Sequence, residues 1–309
     1  MSFRVTQGTL ARGVLEGLQT NLTRLQRTQE QLSSGRKLNR PSDSPVDTVN
    51  AMQLRAEKAR ATQYGRNIDD GLSWLNTADT AVTQAYDMVD RVRQLAVQAG
   101  NAAMPQDSLD AMAKEVDQIR DGLKQLGNTQ YAGKYIFGGT RTQTQPFDAK
   151  GVYVGNTSQV LRTVSSDPQS GEIGVNVNGS EVFGTLLSGG LDPADPSGNT
   201  AIKGVLENIS DALKSGDRTA LQGQLGQLDA ATGQMRSVQS TIGAKVNRLT
   251  GLQDVANARL DTVTQGLANA ENIDLPKTII DMQIQQNAYQ AALGATAKII
   301  QPSLMDFLR

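Results

Sequence analysis

Asp69 and Asp70 stand side by side in a helix-patterned stretch. Adjacent carboxylates can hold a divalent cation or share acid–base work. Nothing else in the chain converges on that chemistry. There is no His and no Cys, which removes imidazole bases, thiolate nucleophiles, disulfides and the usual zinc sites. A solvated helix face accounts for the two acids. The Gly184 to Gly190 stretch lacks the Gly-Lys-Ser/Thr spacing of a phosphate loop. Trp74, beside Leu72 and Leu75, reads as a packing residue at the edge of a helical bundle rather than a ligand platform. Arg91 and Arg93 have two open roles. They either pair with acids of the same bundle, such as Asp87 or Asp90, or contact another subunit. No residue is therefore assigned to catalysis, a cofactor or a metal, and the chain is not expected to be an enzyme.

The elements that would position such residues are mostly helices. From Leu221 to Ala270, a seam of mostly apolar positions, with Thr232, Gln239 and Gln253 among them, steps four then three without a break, which holds one side of a helix against a partner. At 1.5 Å per residue that helix is about 75 Å long. An earlier helix carries Leu15, Leu18, Leu22, Leu25, Gln29 and Leu32 and should end near Leu38, before Pro41 and Pro45. Ser44-Pro45-Val46-Asp47 restarts the chain, with Ser44 as cap and Asp47 reaching back to the exposed amide. A second helix runs towards Gly100, and a third carries Leu109, Met112, Val116, Ile119, Leu123 and Leu126.

Then the character changes. Tyr135-Ile136-Phe137 before Gly138-Gly139 reads as a strand and a turn. Val152-Tyr153-Val154 reads as another strand. Ile173, Val175 and Val177 alternate with polar or small residues, and Asn178-Gly179 suits a hairpin returning through Val182-Phe183. Helix resumes at Thr200, and the long rod ends at Asp274-Leu275-Pro276. A last helix carries Ile280, Ile284, Tyr289, Leu293, Ala297, Ile300, Leu304 and Phe307.

The expected fold is mainly α with a small β insert. It is an elongated multi-helix coiled-coil bundle, formed by the amino- and carboxyl-terminal arms, with a β-rich tip. The expected parts are a terminal helix pair (1–43 and 274–309), a long helical rod (44–140 and 199–273) and a β-rich outer insert (141–198). Two paired helices share one seam, and Ile279, Ile299, Met305 and Leu308 lie off it. A widened apolar stripe wants more than one neighbour. Packing against other subunits and closure into an intramolecular bundle both satisfy it. The expected assembly interface is Leu15, Leu18, Leu22, Leu25, Leu32, Leu293, Ile300, Leu304 and Phe307.

Net charge is −1, which gives no ground for a nucleic-acid partner. Arg4, Arg12, Arg24, Arg27, Arg36, Lys37 and Arg40 do crowd the start, either as a solvated face or for an anionic partner. The first residues contain no apolar core of a cleavable secretory signal, and no apolar run is long enough to span a membrane.

Four segments resemble the bacterial flagellin superfamily. They are Leu32-Ser33-Ser34-Gly35-Arg36-Lys37-Leu38-Asn39, Arg91-Val92-Arg93-Gln94-Leu95-Ala96-Val97-Gln98, Ile242-Gly243-Ala244-Lys245-Val246-Asn247-Arg248-Leu249, and the ending from Ile299 to Arg309. Within the superfamily, Tyr135-Ile136-Phe137-Gly138-Gly139 is similar to the branch of hook–filament junction proteins. Pro302 and the terminal Arg309 are similar to filament flagellins, which stand as the alternative. A secreted coiled-coil adhesin or a helical scaffold also fits the heptads. The resemblance implies a structural subunit of the extracellular flagellum, exported through its type III channel without a cleavable signal. Its implied partners are copies of itself in a ring, an adjacent hook-associated protein, filament flagellin and a cytoplasmic export chaperone. It implies no cofactor and no membrane insertion.

Overall fold

The structure, a computed structural model, describes residues 7–100, 104–167, 171–191 and 201–300, with side chains for all of these except 7–11, 191 and 298–300. Helices α1 (Gln7–Ser34), α2 (Pro45–Ala99) and α3 (Gln106–Gly127) come first. Six short strands follow: β1 (Gln130–Tyr131), β2 (Lys134–Tyr135), β3 (Leu161–Thr163), β4 (Glu172–Gly174), β5 (Ser188–Leu191) and β6 (Ala201–Lys203). A π-helical turn at Ser180–Gly184 and the one-turn helix α4 (Thr185–Leu187) interrupt them. Helices α5 (Val205–Ser215), α6 (Arg218–Glu271) and α7 (Leu275–Ile300) complete the chain. The strands form three separate antiparallel pairs, β1–β2, β3–β4 and β5–β6. The fold is mainly α with a small β part.

The helix boundaries follow local chemistry. Gly35, at φ +68°, ends α1 three residues before the expected Leu38. A left-handed residue after the last turn favours glycine. Ser44 Oγ accepts from the Asp47 amide at 3.4 Å as α2 starts. Asp47 does not reach back to an amide. Its carboxylate takes Lys37 Nζ at 3.0 Å instead, because the ammonium is a stronger partner than a neutral amide. Asp217 caps α6 by accepting from the Thr219 and Ala220 amides, both at 3.0 Å. Asp274 caps α7 through the Lys277 amide, so Pro276 falls in the first turn, where its missing N–H costs nothing.

The chain divides into two compact units, residues 1–60 with 259–309, and residues 61–258.

The second unit holds the large core. Cross-helix bonds join Asp69 to Gln253, Thr83 to Gln239 and Arg93 to Asp229. One number rises by 24 while the other falls by 24, which is the register of an antiparallel pair, α2 against α6. Helix α3 packs on α5. Ile68, Leu75, Val89, Val116, Leu123, Ile209, Leu228 and Leu249 form one cluster with Val175, Val182, Phe183 and Leu186. The sequence places the β-rich segment apart from the bundle; its apolar residues instead enter the same core. Phe183 sets its ring edge-on to Phe137 and Phe147, with centroids 5.1 and 5.8 Å away.

Several local expectations differ. Val182 and Phe183 do not return as a strand. Gly179 is helical at φ −63° and leads into the π-helical turn, which carries both side chains into the core. The partner of β4 is β3. Only Tyr135 of the Tyr-Ile-Phe stretch is in a strand, and Tyr153 makes a single bridge to Phe147. Ile136 and Phe137 are fully buried without sheet pairing. Ala201–Lys203 is strand rather than helix, and α5 begins after Gly204. For Phe137, Val182 and Phe183 burial of the side chain overrides the periodicity of a short run.

Candidate assembly surface

Helices α1 and α7 pack on each other in the first unit. The positions turned into that seam on α1 are Val14, Leu18, Asn21, Leu25, Thr28 and Leu32, all half-buried or buried. On α7 they are Thr278, Met282, Gln285, Tyr289, Ala292 and Thr296. Both rows step four then three, as a helix pair requires. Yet six of the twelve are Asn, Thr, Gln or Tyr. Thr28 Oγ1 donates to Gln285 Oε1 at 2.8 Å across the seam.

Seven other large apolar residues point away from the seam. Leu275, Ile279, Ile280, Ile284 and Leu293 on α7 are 41–59 % exposed. Leu15 and Leu22 on α1 are 50 % and 36 % exposed. Val46, Val49 and Met52 add an uncovered strip on the first turns of α2, which also lie in this unit. Full burial of one such side chain is worth about 1.5–3 kcal/mol. Seven half-exposed ones on α1 and α7 therefore leave about 5–10 kcal/mol of burial unrealised. That is comparable to the rotational and translational cost of association, about 4–15 kcal/mol. Exposed apolar surface of this kind marks an interaction site.

The structure divides the expected interface residues. Leu18, Leu25 and Leu32 lie in the α1–α7 seam, half-buried. Leu15, Leu22 and Leu293 are exposed. Ile300 closes α7, with a side chain outside the described set, and Leu304 and Phe307 lie outside the described residues. The sequence marks Ile279 as lying off the seam, whereas the exposure of Leu275, Ile280 and Ile284 beside it was the part missed. Its signal was Thr28 and Thr296, polar residues at seam spacing, which force the isoleucines outward.

The motif residues have structural roles. Ser33 and Ser34 end α1, and the Ser34 hydroxyl accepts from the Arg36 amide at 3.2 Å. Arg91 Nε donates to Glu115 Oε1 and Arg93 Nε to Asp229 Oδ1, each at 2.7 Å. These acids lie on α3 and α6, not on α2 where Asp87 and Asp90 sit. Leu95, two residues after Arg93, is buried. In Tyr135 to Gly139, the two glycines are obligatory. A Cβ on Gly138 would meet the Arg141 carbonyl at 2.8 Å, and Gly139 has φ +65° against Asn156.

The remaining polar groups are engaged structurally. Asp69 accepts from Gln253, and Asp70 from Arg162 Nε at 2.7 Å. The same Arg162 lies 5.9 Å over the Trp74 ring. Trp74 is 1 % exposed, so it belongs to the core rather than to a bundle edge. A groove of about 280 Å³ runs beside α6, lined by Gln159, Asn178, Glu181, Ser237, Thr241 and Lys245 among others. Burial holds the Lys245 ammonium below its ordinary pKa, and Nζ donates to the Asn176 carbonyl at 2.9 Å. Among the described residues no group of three His, Cys, Asp or Glu residues could hold a metal, and no helix is long and apolar enough to cross a membrane.

Comparison with known proteins matches this arrangement. Residues 7–142 match the bacterial flagellin N-terminal helical region. Flagellar hook-associated protein 3 of Escherichia coli K12 is 25 % identical over 279 residues, covering 86 % of this chain and 87 % of its own. Flagellin of Bacillus subtilis 168 is 25 % identical over 300 residues, covering 94 % and 95 %. The crystal structure of Bacillus cereus FlgL superposes with a TM-score of 0.58 at 21 % identity, over 70 % of this chain and 99 % of that one. Over both arms the chain is similar to proteins of the bacterial flagellin superfamily, its hook-associated branch among them.

Proposed function

We propose that this protein is a structural subunit of the bacterial flagellum that joins hook to filament through packing of its terminal helices. The observation that carries the reading is the inverted α1–α7 pair, with Thr28, Gln285 and Thr296 inside and Ile279, Ile280 and Ile284 outside. A helix pair that turns its isoleucines to solvent is built for further neighbours. On this reading residues 1–43 and 274–309 form the assembly domain. Residues 44–140 and 199–273 form the rod, and 141–198 faces outward. Copies of the chain form a ring, flanked by an adjacent hook-associated protein and by filament flagellin. A cytoplasmic export chaperone delivers the subunit to the type III channel, and the work done is mechanical rather than catalytic.

Filament flagellin is the second reading, favoured by the near-complete mutual coverage with the Bacillus subtilis flagellin. Electron microscopy of a deletion strain, with immunogold labelling of the wild type, separates the two. The junction reading expects hooks without filaments in the deletion and label in one band. Label along whole filaments would select flagellin, and flagella of normal form in the deletion would overturn both.

A further inference from the structure

We infer that Glu271 is a positioning residue that locks the two chain connections of the first unit, 35–44 and 272–274, into one joint, so that α1 and α7 reorient only as a pair. The two connections are tied by backbone. The Lys37 amide donates to the Glu271 carbonyl at 2.6 Å, and the Ile273 amide donates to the Gly35 carbonyl at 3.3 Å. Arg36 and Asn272 form an antiparallel bridge between them. Gly35, at φ +68°, turns its carbonyl towards this contact.

The Glu271 side chain closes the clasp. Its residue is 6 % exposed, and Oε1 accepts from Arg55 Nε at 2.6 Å. Arg55 stands on α2, about three turns past its start, and keeps half of its side chain in solvent. A buried carboxylate held by a single guanidinium is costly to separate. The same residue therefore offers its carbonyl to one connection and its side chain to α2. Around it, Lys37 pairs with Asp47, Arg27 with Asp43 and Arg40 with Glu30. Lys37, Arg40 and Asp43 lie in the 35–44 connection itself, and Arg27, Glu30 and Asp47 lie within about two turns of it. Opening one connection without the other would leave the Glu271 carboxylate or a backbone amide unpaired, so the two open together.

The consequence for a ring subunit is that its α1–α7 surface is presented at one set angle. That consequence rests on the assembly reading, whereas the test below does not. Hydrogen exchange of the Lys37 and Ile273 amides is measured in the full chain, in Glu271→Gln and in Arg55→Met. The second variant changes a half-exposed residue and so retains the fold. Both amides should exchange at least tenfold faster, by the same factor, in both variants, while the amides of α3 and α5 stay unchanged. Arg55→Lys, which keeps the charge, should recover most of the protection. Acceleration of only one amide, or of neither, would overturn the joint. Equal acceleration throughout the chain would reduce Glu271 to a general stability residue.

Discussion

In the second unit Ile68, Ile136, Ile209 and Ile242 are all at or below 1 % exposure. In the first, Ile279, Ile280 and Ile284 are 41–59 % exposed. The same residue type thus has opposite uses in one chain. The second unit folds around its branched side chains, helped by three phenylalanines from the β-rich segment. The first unit holds α1 to α7 through a seam in which Thr, Asn and Gln alternate with apolar residues, and it leaves a second apolar face open. Stability resides where the apolar residues are buried, and on the proposed reading the open face is the one that serves association.

The largest expected effect tests the first half of that contrast. Phe183→Ala removes a fully buried ring that touches Phe137 and Phe147. A loss of about 3–5 kcal/mol is expected. Trp74 is the only tryptophan and lies in the second unit, so its fluorescence reports this transition in urea. A midpoint within error of wild type would show that the β-rich segment is not part of the core.

A matched pair of truncations sharpens the contrast. Leu249→Ala empties a fully buried site and should cost about 2–5 kcal/mol. Ile284→Ala removes a similar side chain that is 59 % exposed and should cost under about 0.5 kcal/mol in the monomer. Equal costs would mean that α7 buries its isoleucines in the free subunit.

Acid gives a smaller effect at the joint. The Arg40 amide, with the Asn39 amide and the Arg27 and Arg40 guanidinium groups, holds the Asp43 carboxyl below its ordinary pKa. The hydrogen bond from Lys37, then that from Ser44, does the same for Asp47. A group whose folded pKa is depressed stabilises the fold above its unfolded pKa. That contribution disappears as pH falls through the folded value. The joint should therefore loosen below about pH 4. The Asp117 carboxyl in the second unit is also lowered, since the bond from Lys214 and the charges of Lys214 and Arg120 outweigh burial, so acid weakens both units. Carbon-13 titration should place Asp43 and Asp47 below an ordinary aspartate, and Asp43→Asn should reduce the acid sensitivity of the Lys37 and Ile273 amides. Ordinary midpoints for both carboxyls would contradict this.

Much of the architecture was legible in the sequence. All fifteen seam positions from Leu221 to Ala270 are buried or half-buried in the structure, because a sustained heptad has one geometric solution. Pro45, Pro105 and Pro276 stand where helices begin, since proline fits only there. The shorter β-rich segment was less legible. Asn178-Gly179 favours a hairpin locally, but Phe183 gains more from the core than a strand could offer, and the chain forms a helical turn. The α1–α7 seam was misread for a related reason. Leu15 and Leu22 suit an apolar stripe better than Asn21 and Thr28, yet the polar pair is inside. Hydropathy alone cannot tell a face buried within a subunit from one reserved for its neighbours.

The most direct test changes that reserved face without disturbing the helix. Ile280→Gln with Ile284→Gln keeps good helix formers and removes two exposed apolar side chains. Covering the exposed half of each by a neighbour would contribute about 0.7–1.5 kcal/mol. The account predicts unchanged helix content and an unchanged Trp74 unfolding transition in the purified monomer, normal export into the medium, and few or no filaments. Filaments at wild-type frequency, or a monomer that loses the α1–α7 helices, would contradict the claim that this face serves association.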